Sequence, residues 1–141
     1  MASYIPDSLR TQIVEADRGC CAYCRTCEAN SGIPLTFDHI YPTSRGGKSE
    51  FVNLCRACRS CNEAKNDQIA ALDPLSGEQV LLFHPRTEQW GDHFAWSNDG
   101  TQIAGLTDVG RATVIALKMN NPTIVTARHR WVIAGWHPPS D

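Results

Sequence analysis

The sequence predicts an α+β fold built around a metal site, and three observations support this. Apolar residues are spaced for one face of a helix at residues 7–18 and again in the last quarter of the chain. Short runs of bulky residues between turn signals predict strands and hairpins in between. Two cysteine clusters, about 30 residues apart, predict a metal cross-link that closes a loop and supports the modest core of a 141-residue chain.

The first half predicts one helix, a hairpin and a second helix. Leu9, Ile13 and Ala16 fall on one face of the helix predicted over residues 7–18. "PLTFDHIY" predicts a strand, and the turn-rich "PTSRGGKSE" predicts a hairpin that closes onto "FVNL". A helix rich in Glu, Ala, Lys and Gln is then predicted over about residues 60–72, where Asp73-Pro74 stops it.

The second half predicts a hairpin and two helices. "QVLLF" predicts a short strand, and "HFAWSNDGTQIAGL" a hairpin that bends at Asn-Asp-Gly. Thr107 caps a helix that runs to about Met119, and Pro122 begins a last helix that Gly135 ends. The tryptophans of this half are predicted to fill its core; they are Trp90, Trp96, Trp131 and Trp136.

Composition and charge narrow the class of protein. With 42% hydrophobic and 20% charged residues the composition is that of a globular domain. The net charge of -2 argues weakly against non-specific polyanion binding, although residues 111–130 carry four basic residues and no acid. "MASYIPDSLR" lacks the apolar region of a secretory signal, and no run approaches a membrane span. We therefore expect a cytoplasmic protein whose cysteines are thiols or metal ligands.

The two cysteine clusters predict a structural zinc site. Zinc takes four soft ligands at tetrahedral corners, and each Cys-x-x-Cys turn supplies two. Each cluster offers more than one register, so a set using Cys55 and Cys58 is an alternative. The favoured set places the last ligand at the mouth of the following helix; it is Cys21, Cys24, Cys58 and Cys61. The remaining cysteines are predicted to be free, mostly buried thiols; they are Cys20, Cys27 and Cys55.

The segment between the clusters resembles a known family. "CAYC…FDHIYPTSRGGKSEFVNLCRACRSCNEAK" is similar to the HNH endonucleases, the ββα-metal nucleases with a four-cysteine zinc scaffold. The resemblance covers about residues 20–66. It implies an HNH nuclease domain at residues 1–72, with the ββα-metal core at about 20–68. Residues 73–141 resemble an extension carried by one bacterial branch of the family and are expected to pack on the core.

The resemblance implies hydrolysis of DNA phosphodiester bonds, by nicking or by double-strand cleavage. His39 is the predicted base that activates water, because imidazole titrates near neutral pH. Asn53 is predicted to hold the loop that orients His39. Asp38 and Asn62 supply hard oxygen ligands for a catalytic Mg²⁺ or Mn²⁺, which stabilises the phosphorane and the leaving 3′-oxygen.

Other expectations concern partners. Four basic side chains are predicted to contact phosphates; they are Arg45, Lys48, Arg59 and Lys65. DNA is the predicted substrate, no membrane partner is expected, and the protein is expected to be a monomer or a homodimer. The alternative hypothesis is a non-catalytic, zinc-stabilised nucleic-acid-binding module. Adjacent strand residues point to opposite faces, so Asp38 and His39 share one site only where the strand twists or ends.

Overall fold

The computed structural model describes residues 4–140, which form an α+β fold of short elements. The helices, in chain order, are α1 (Asp7–Asp17), α2 (Glu28–Ser31), α3 (Arg59–Lys65), α4 (Trp90–His93), α5 (Asp108–Ala116) and α6 (Pro122–Ala134). The strands are β1 (Thr36–His39), β2 (Leu54–Ala57), β3 (Ala70–Leu72), β4 (Gln79–Leu81), β5 (Phe94–Trp96) and β6 (Ile103–Gly105). The strands pair as three antiparallel hairpins, β1 with β2, β3 with β4 and β5 with β6.

The first hairpin and α3 form the ββα unit that the sequence predicted. In the β1–β2 register Asp38 lies opposite Cys55, and His39 lies opposite Leu54. The second strand was predicted to begin with "FVNL", but it begins three residues later. Residues Phe51–Asn53 form a 3₁₀ turn, and strand pairing begins only at Leu54. The turn places Asn53 at the mouth of the hairpin, where its side chain faces the loop.

The predicted helix over residues 60–72 was wrong in its second half. Helix α3 ends at Lys65, and Asn66 follows with a positive φ of 51°. Residues Ala70–Leu72 instead pair with Gln79–Leu81 as β3 and β4. Helix propensity is a weak preference, and the strand pairing satisfies the backbone groups of this segment in its place.

The second half follows most of its predicted boundaries, although α5 ends at Ala116 and not near Met119. Thr107 caps α5 by accepting a hydrogen bond from the Gly110 backbone, as the sequence predicted. Helix α6 begins with Pro122 after the Asn121 cap, and Gly135, with φ of 81°, ends it. The cap oxygen, the N-terminal proline and the C-terminal glycine each satisfy a local requirement of a helix end. Such ends are therefore predictable from the sequence.

A single apolar cluster joins the two halves. It combines the zinc-site cysteines with apolar side chains of the second half, and its larger members include Tyr23, Leu35, Phe83, Phe94 and Leu117. The Trp90 indole donates a 2.7 Å hydrogen bond to the Tyr23 carbonyl across this boundary. Trp90 and Trp131 are buried, as predicted, but Trp136 is 57% exposed and contributes little to the core.

Two arginine–carboxylate pairs add polar ties to the packing. Arg86 binds both carboxylate oxygens of Asp17 at 2.8 Å, and this pair is nearly buried. Arg111 on α5 binds both oxygens of Asp73 at 2.9 and 3.0 Å. The Arg111 guanidinium holds the pKa of Asp73 well below its usual range. Bidentate pairs of this kind fix orientation as well as distance. The first pair therefore ties the second half to α1, and the second pair ties α5 to the turn that follows β3.

Candidate active site and zinc centre

Four cysteine sulfurs converge between the first turn of the core and α3. The sulfurs of the favoured set lie within 4.8 Å of one another; they belong to Cys21, Cys24, Cys58 and Cys61. The Cys24 and Cys58 sulfurs are 3.6 Å apart, close to the separation of about 3.8 Å between sulfurs bound tetrahedrally at 2.3 Å to one zinc. The set fits zinc, and it is the register that the sequence favoured over the one using Cys55.

Local structure aims these sulfurs at one another. Arg25, at a positive φ of 65°, turns the first Cys-x-x-Cys segment back, and the Arg25 backbone donates to the Cys21 carbonyl. Cys58 is the N-cap of α3, and its sulfur accepts a 3.4 Å hydrogen bond from the Cys61 backbone. A backbone N–H directed at a ligand sulfur stabilises the thiolate form that zinc requires.

For two of the three remaining cysteines, the prediction of a free thiol was wrong. Cys20 and Cys27 form a disulfide, whereas both were predicted to be free thiols. They stand opposite each other in an antiparallel bridge that brackets the first zinc turn, so the backbone places them face to face. Pairing across a turn depends on tertiary geometry, which an odd cysteine count does not reveal. Cys55 is a free, fully buried thiol, as predicted.

His39 stands at the end of β1, half-buried, with one nitrogen held and the other open. Its Nε2 lies 2.9 Å from the Ser49 hydroxyl. Nδ1 has no hydrogen-bond partner within residues 4–140. Partial burial lowers the pKa of the His39 imidazole, and Lys65 adds to this effect while Asp38 opposes it. The neutral imidazole that results at neutral pH can accept a proton.

Asn53 closes the loop between the two strands. Its Oδ1 accepts a 2.7 Å hydrogen bond from the Tyr41 backbone, and its Nδ2 donates to the carbonyls of Tyr41 and Lys48 at 3.0 and 2.9 Å. The side chain does not touch His39. It holds the two ends of the loop that supplies Ser49, the partner of His39. A side chain at Gly47 would overlap the Tyr41 carbonyl oxygen, so glycine is required for this closure.

Asp38 points away from His39, into the core. Its side chain is only 6% exposed and pairs with the Lys65 ammonium at 3.2 Å. The Tyr23 hydroxyl donates a 2.7 Å hydrogen bond to the same carboxylate. Burial raises the pKa of Asp38, whereas Lys65 and Tyr23 oppose that rise. The opposite orientations of Asp38 and His39 follow from strand alternation.

Helix α3 crosses the face of β1 that carries Asp38. Asn62 donates a 2.8 Å hydrogen bond to the Thr36 hydroxyl, and Lys65 binds Asp38. Residues three apart on a helix and two apart on a strand each share a face, so the two pairs form side by side. The Asn62 amide oxygen accepts no hydrogen bond from the described residues. Asn62 is half-buried, beside the buried pair.

The predicted phosphate contacts separate into two groups. Arg45, Lys48 and Arg59 are exposed, and Arg45 donates to the Asp67 carbonyl at 2.8 Å. The prediction that Lys65 contacts phosphate was wrong, because Lys65 is 1% exposed and its ammonium binds Asp38 and the His39 carbonyl. Lysine within a cationic motif is ordinarily a surface residue. Its burial here is decided by the carboxylate that faces it.

The sequence analysis missed three residues of this site. Tyr23 holds Asp38, Ser49 holds His39, and Thr36 holds Asn62. Tyr23 lies inside a Cys-x-x-Cys turn, and Ser49 lies in a turn-rich loop, so neither has a periodic signal of its own. Thr36 alone carried a signal, because it stands two residues before Asp38 on the predicted strand and therefore shares its face.

Comparison with known proteins gives a match for the segment that contains this site. Residues 21–72 match the family model of the HNH endonuclease. No curated protein matches the chain. Residues 21–72 therefore form an HNH endonuclease-type domain with four cysteines placed for zinc, and this domain indicates a nuclease-type function on nucleic acid. None of the helices in residues 4–140 has the length and apolar character of a membrane span.

Proposed function

We propose that the protein is a metal-dependent endonuclease that hydrolyses phosphodiester bonds of DNA. The observation that carries the proposal is His39, a half-buried imidazole of lowered pKa with one nitrogen open, placed inside the segment that matches the HNH endonuclease model. The zinc centre and the Asn53 contacts hold the strands and the loop around it. A rigid frame around one reactive group is what positioned general-base catalysis requires.

His39 acts as the general base. When Nε2 carries the proton and donates to the Ser49 hydroxyl, the lone pair of Nδ1 is free to take a proton from the attacking water. The Ser49 contact therefore selects the tautomer and holds the ring. Asn53 is a positioning residue, since it fixes the loop that carries Ser49 without touching the imidazole.

The chemistry of two side chains fits a catalytic Mg²⁺ or Mn²⁺. Asp38 offers a carboxylate, and Asn62 offers an amide oxygen that no described residue uses. Such a cation, when bound, would neutralise charge on the phosphorane and on the leaving 3′-oxygen, provided that the Asp38 carboxylate, which faces the core here, turns to the side of β1 that carries His39. Lys65 shares the Asp38 carboxylate at 3.2 Å, so it balances the carboxylate charge in the absence of a cation and competes with one that binds.

The exposed basic residues provide contacts to the substrate. Arg45 and Lys48 on the loop and Arg59 on α3 are exposed, which supports a role in contacting phosphate oxygens. Lys65 is excluded from this role by its burial. Products with 5′-phosphate and 3′-hydroxyl ends follow from the family resemblance. One copy of the chain nicks a single strand, and a homodimer or two successive events would cut both.

Plasmid cleavage tests the proposal. Supercoiled DNA is incubated with zinc-loaded protein and Mg²⁺ or Mn²⁺, and His39→Ala is compared with His129→Ala, which changes an exposed histidine on α6. We expect cleavage by the wild type and by His129→Ala, and a loss of at least about 100-fold in His39→Ala. Zinc content and circular dichroism confirm that both variants fold. Equal cleavage by His39→Ala and wild type would refute the proposal.

A second candidate, a zinc-stabilised nucleic-acid-binding module without turnover, is favoured by one observation. The Asp38 carboxylate is already paired with Lys65 and hydrogen-bonded by Tyr23, as a purely structural ion pair would be. This candidate predicts DNA binding that weakens with salt and no cleavage in Mg²⁺, Mn²⁺, Co²⁺ or Ni²⁺. Cleavage by the wild type that His39→Ala abolishes would exclude it.

A further inference from the structure

Arg128 on α6 is buried without a carboxylate partner. It is the largest side chain in the described residues with less than 2% exposure, and its own exposure is 0%. Its Nη1 donates to the Thr101 carbonyl at 3.0 Å and to the Asn120 amide oxygen at 3.2 Å. Its Nη2 donates to the Met119 carbonyl at 2.7 Å. These acceptors are neutral, and no described Asp or Glu forms an ion pair with Arg128.

Two observations show that the Arg128 guanidinium lacks a full set of partners. The Nε atom of Arg128 is buried and has no hydrogen-bond partner within residues 4–140. The guanidinium itself keeps its charge in proteins, and an uncompensated charge in a protein interior is strongly unfavourable. The face of the Trp96 ring, 5.3 Å from the guanidinium carbon, offers only partial compensation. The site therefore calls for an anion near Nε.

The zinc ligands are the groups able to carry negative charge that share a cavity with Arg128. Arg128 and the sulfur-bearing residues Cys24, Cys58 and Cys61 line one cavity of about 680 Å³ between α6 and the start of α3. Burial lowers the pKa of Arg128, and the thiolates of Cys24, Cys61 and Cys58 act in the opposite direction, with Cys24 the strongest. Arg59, Lys118 and Arg130 also line this cavity, and no acidic residue does.

We propose that Arg128 is the counter-cation of the zinc–thiolate centre, and that its Nε–H, which has no hydrogen-bond partner within residues 4–140 here, donates to the Cys24 sulfur when zinc is bound. Four thiolates around one Zn²⁺ carry a net charge of about −2, so a buried guanidinium beside them is favourable to both partners. Hydrogen bonds from outside the ligand set orient metal ligands and tune their affinity. The same contact anchors α6, which belongs to the second half, on the metal of the first.

The contact couples zinc binding to the packing of α6. If Arg128 favours the thiolate centre, zinc must favour the buried position of Arg128 by the same free energy, because linkage between two binding events is reciprocal. Apart from Trp131, Arg128 is the only buried residue of α6. The position of this helix therefore depends in part on the guanidinium.

Zinc affinity measured on the full chain tests the inference. Arg128→Met is compared with Arg130→Met, which removes an exposed arginine of the same helix and cavity. The probe is zinc itself, titrated against a chromophoric chelator at fixed pH. We expect Arg128→Met to weaken zinc binding by about 10- to 100-fold and to speed zinc release to excess chelator, while Arg130→Met stays within about twofold of wild type. Arg128→Met within twofold of wild type would overturn the inference.

Two further variants separate this role from a general loss of packing. Phe94→Leu perturbs the same apolar cluster without altering charge near the sulfurs, so it should lower stability and leave zinc affinity within about twofold. Arg128→Lys keeps the charge but lacks Nε–H. In the cobalt-substituted protein it should shift the sulfur-to-metal charge-transfer band and bind zinc more tightly than Arg128→Met. If Arg128→Met does not fold, an Arg128→Lys protein with unchanged band and zinc affinity overturns the inference.

Discussion

The substitution Asn53→Asp tests how the loop beside His39 is held. Asn53 is 9% exposed and makes three hydrogen bonds, one accepted from the Tyr41 backbone and two donated to the Tyr41 and Lys48 carbonyls. The substitution keeps the shape and the acceptor but removes both donors. It also places a negative charge against the two carbonyl oxygens. The substitution therefore disrupts these three hydrogen bonds without creating a cavity.

The magnitude follows from those contacts. Each lost hydrogen bond costs about 0.5–1.5 kcal/mol, and an unsatisfied or repelled buried group adds about 1–3 kcal/mol. Lys48 is exposed, so water can satisfy its carbonyl, whereas the Tyr41 carbonyl lies against Gly47. We therefore expect the free energy of unfolding to fall by about 2–4 kcal/mol, which lowers the melting temperature of a chain of this size by about 5–12 °C.

Urea unfolding followed by tryptophan fluorescence, at constant free zinc and neutral pH, measures the change. Asn98→Asp is the matched control, because Asn98 is exposed in a turn and the same charge change there should cost less than about 0.5 kcal/mol. A loss below about 1 kcal/mol in Asn53→Asp would refute the reasoning that these three bonds hold the loop. Under the proposed function, the variant also cleaves more slowly while His39 and the zinc content are unchanged.

Three other predictions concern the same site. The cleavage rate should rise with pH and reach half its maximum below the ordinary histidine pKa of about 6.5, because burial lowers the pKa of His39 and the neutral form is the base. A rate that keeps rising tenfold per pH unit above pH 7 would contradict this. Lys65→Met leaves the buried Asp38 carboxylate without a counter-charge, so thermal unfolding should show a free energy of unfolding lower by about 3–5 kcal/mol, which Mn²⁺ partly restores. A loss under about 1 kcal/mol would argue against the pairing. No effect of Mn²⁺ would argue against the cation site. Gly47→Ala forces a methyl group onto the Tyr41 carbonyl and should cost about 1–3 kcal/mol, whereas Gly91→Ala, which meets open space in α4, should be neutral or stabilising; equal effects of the two would show that the loop has room to move.

Much of the zinc centre could be predicted from the sequence. The Cys-x-x-Cys spacing and the helix that starts at the second pair selected Cys21, Cys24, Cys58 and Cys61, and these sulfurs do converge. Metal ligation is dictated by residue type and local spacing, which a sequence shows directly. The pairing of Cys20 with Cys27 was not predictable in this way. It depends on the antiparallel bridge that brings the two backbones together across the turn.

Helix ends illustrate the same division. Thr107, Asn121 and Gly135 act at α5 and α6 through their own side chains or backbone freedom, so their positions in the sequence predict the boundaries. Helix α3 ends at Lys65, before Asn66 with its positive φ of 51°, although Gln68, Ala70 and Leu72 further along favour a helix. The pairing of Ala70–Leu72 with Gln79–Leu81 takes this later segment out of the helix. That contact spans a turn, and local propensity does not report it.

The residue types and their spacing could be read from the sequence alone: the four cysteines placed for zinc, the imidazole of His39 and the amides of Asn53 and Asn62. Which charges face one another depends on the folded chain. Folding buried Lys65 against Asp38 instead of exposing it to phosphate, and it brought Arg128 to a cavity that Cys24, about 100 residues away in the sequence, also lines. The physical reason is that ligand type and spacing act locally, whereas the cost of a buried charge depends on partners that the fold alone brings within reach.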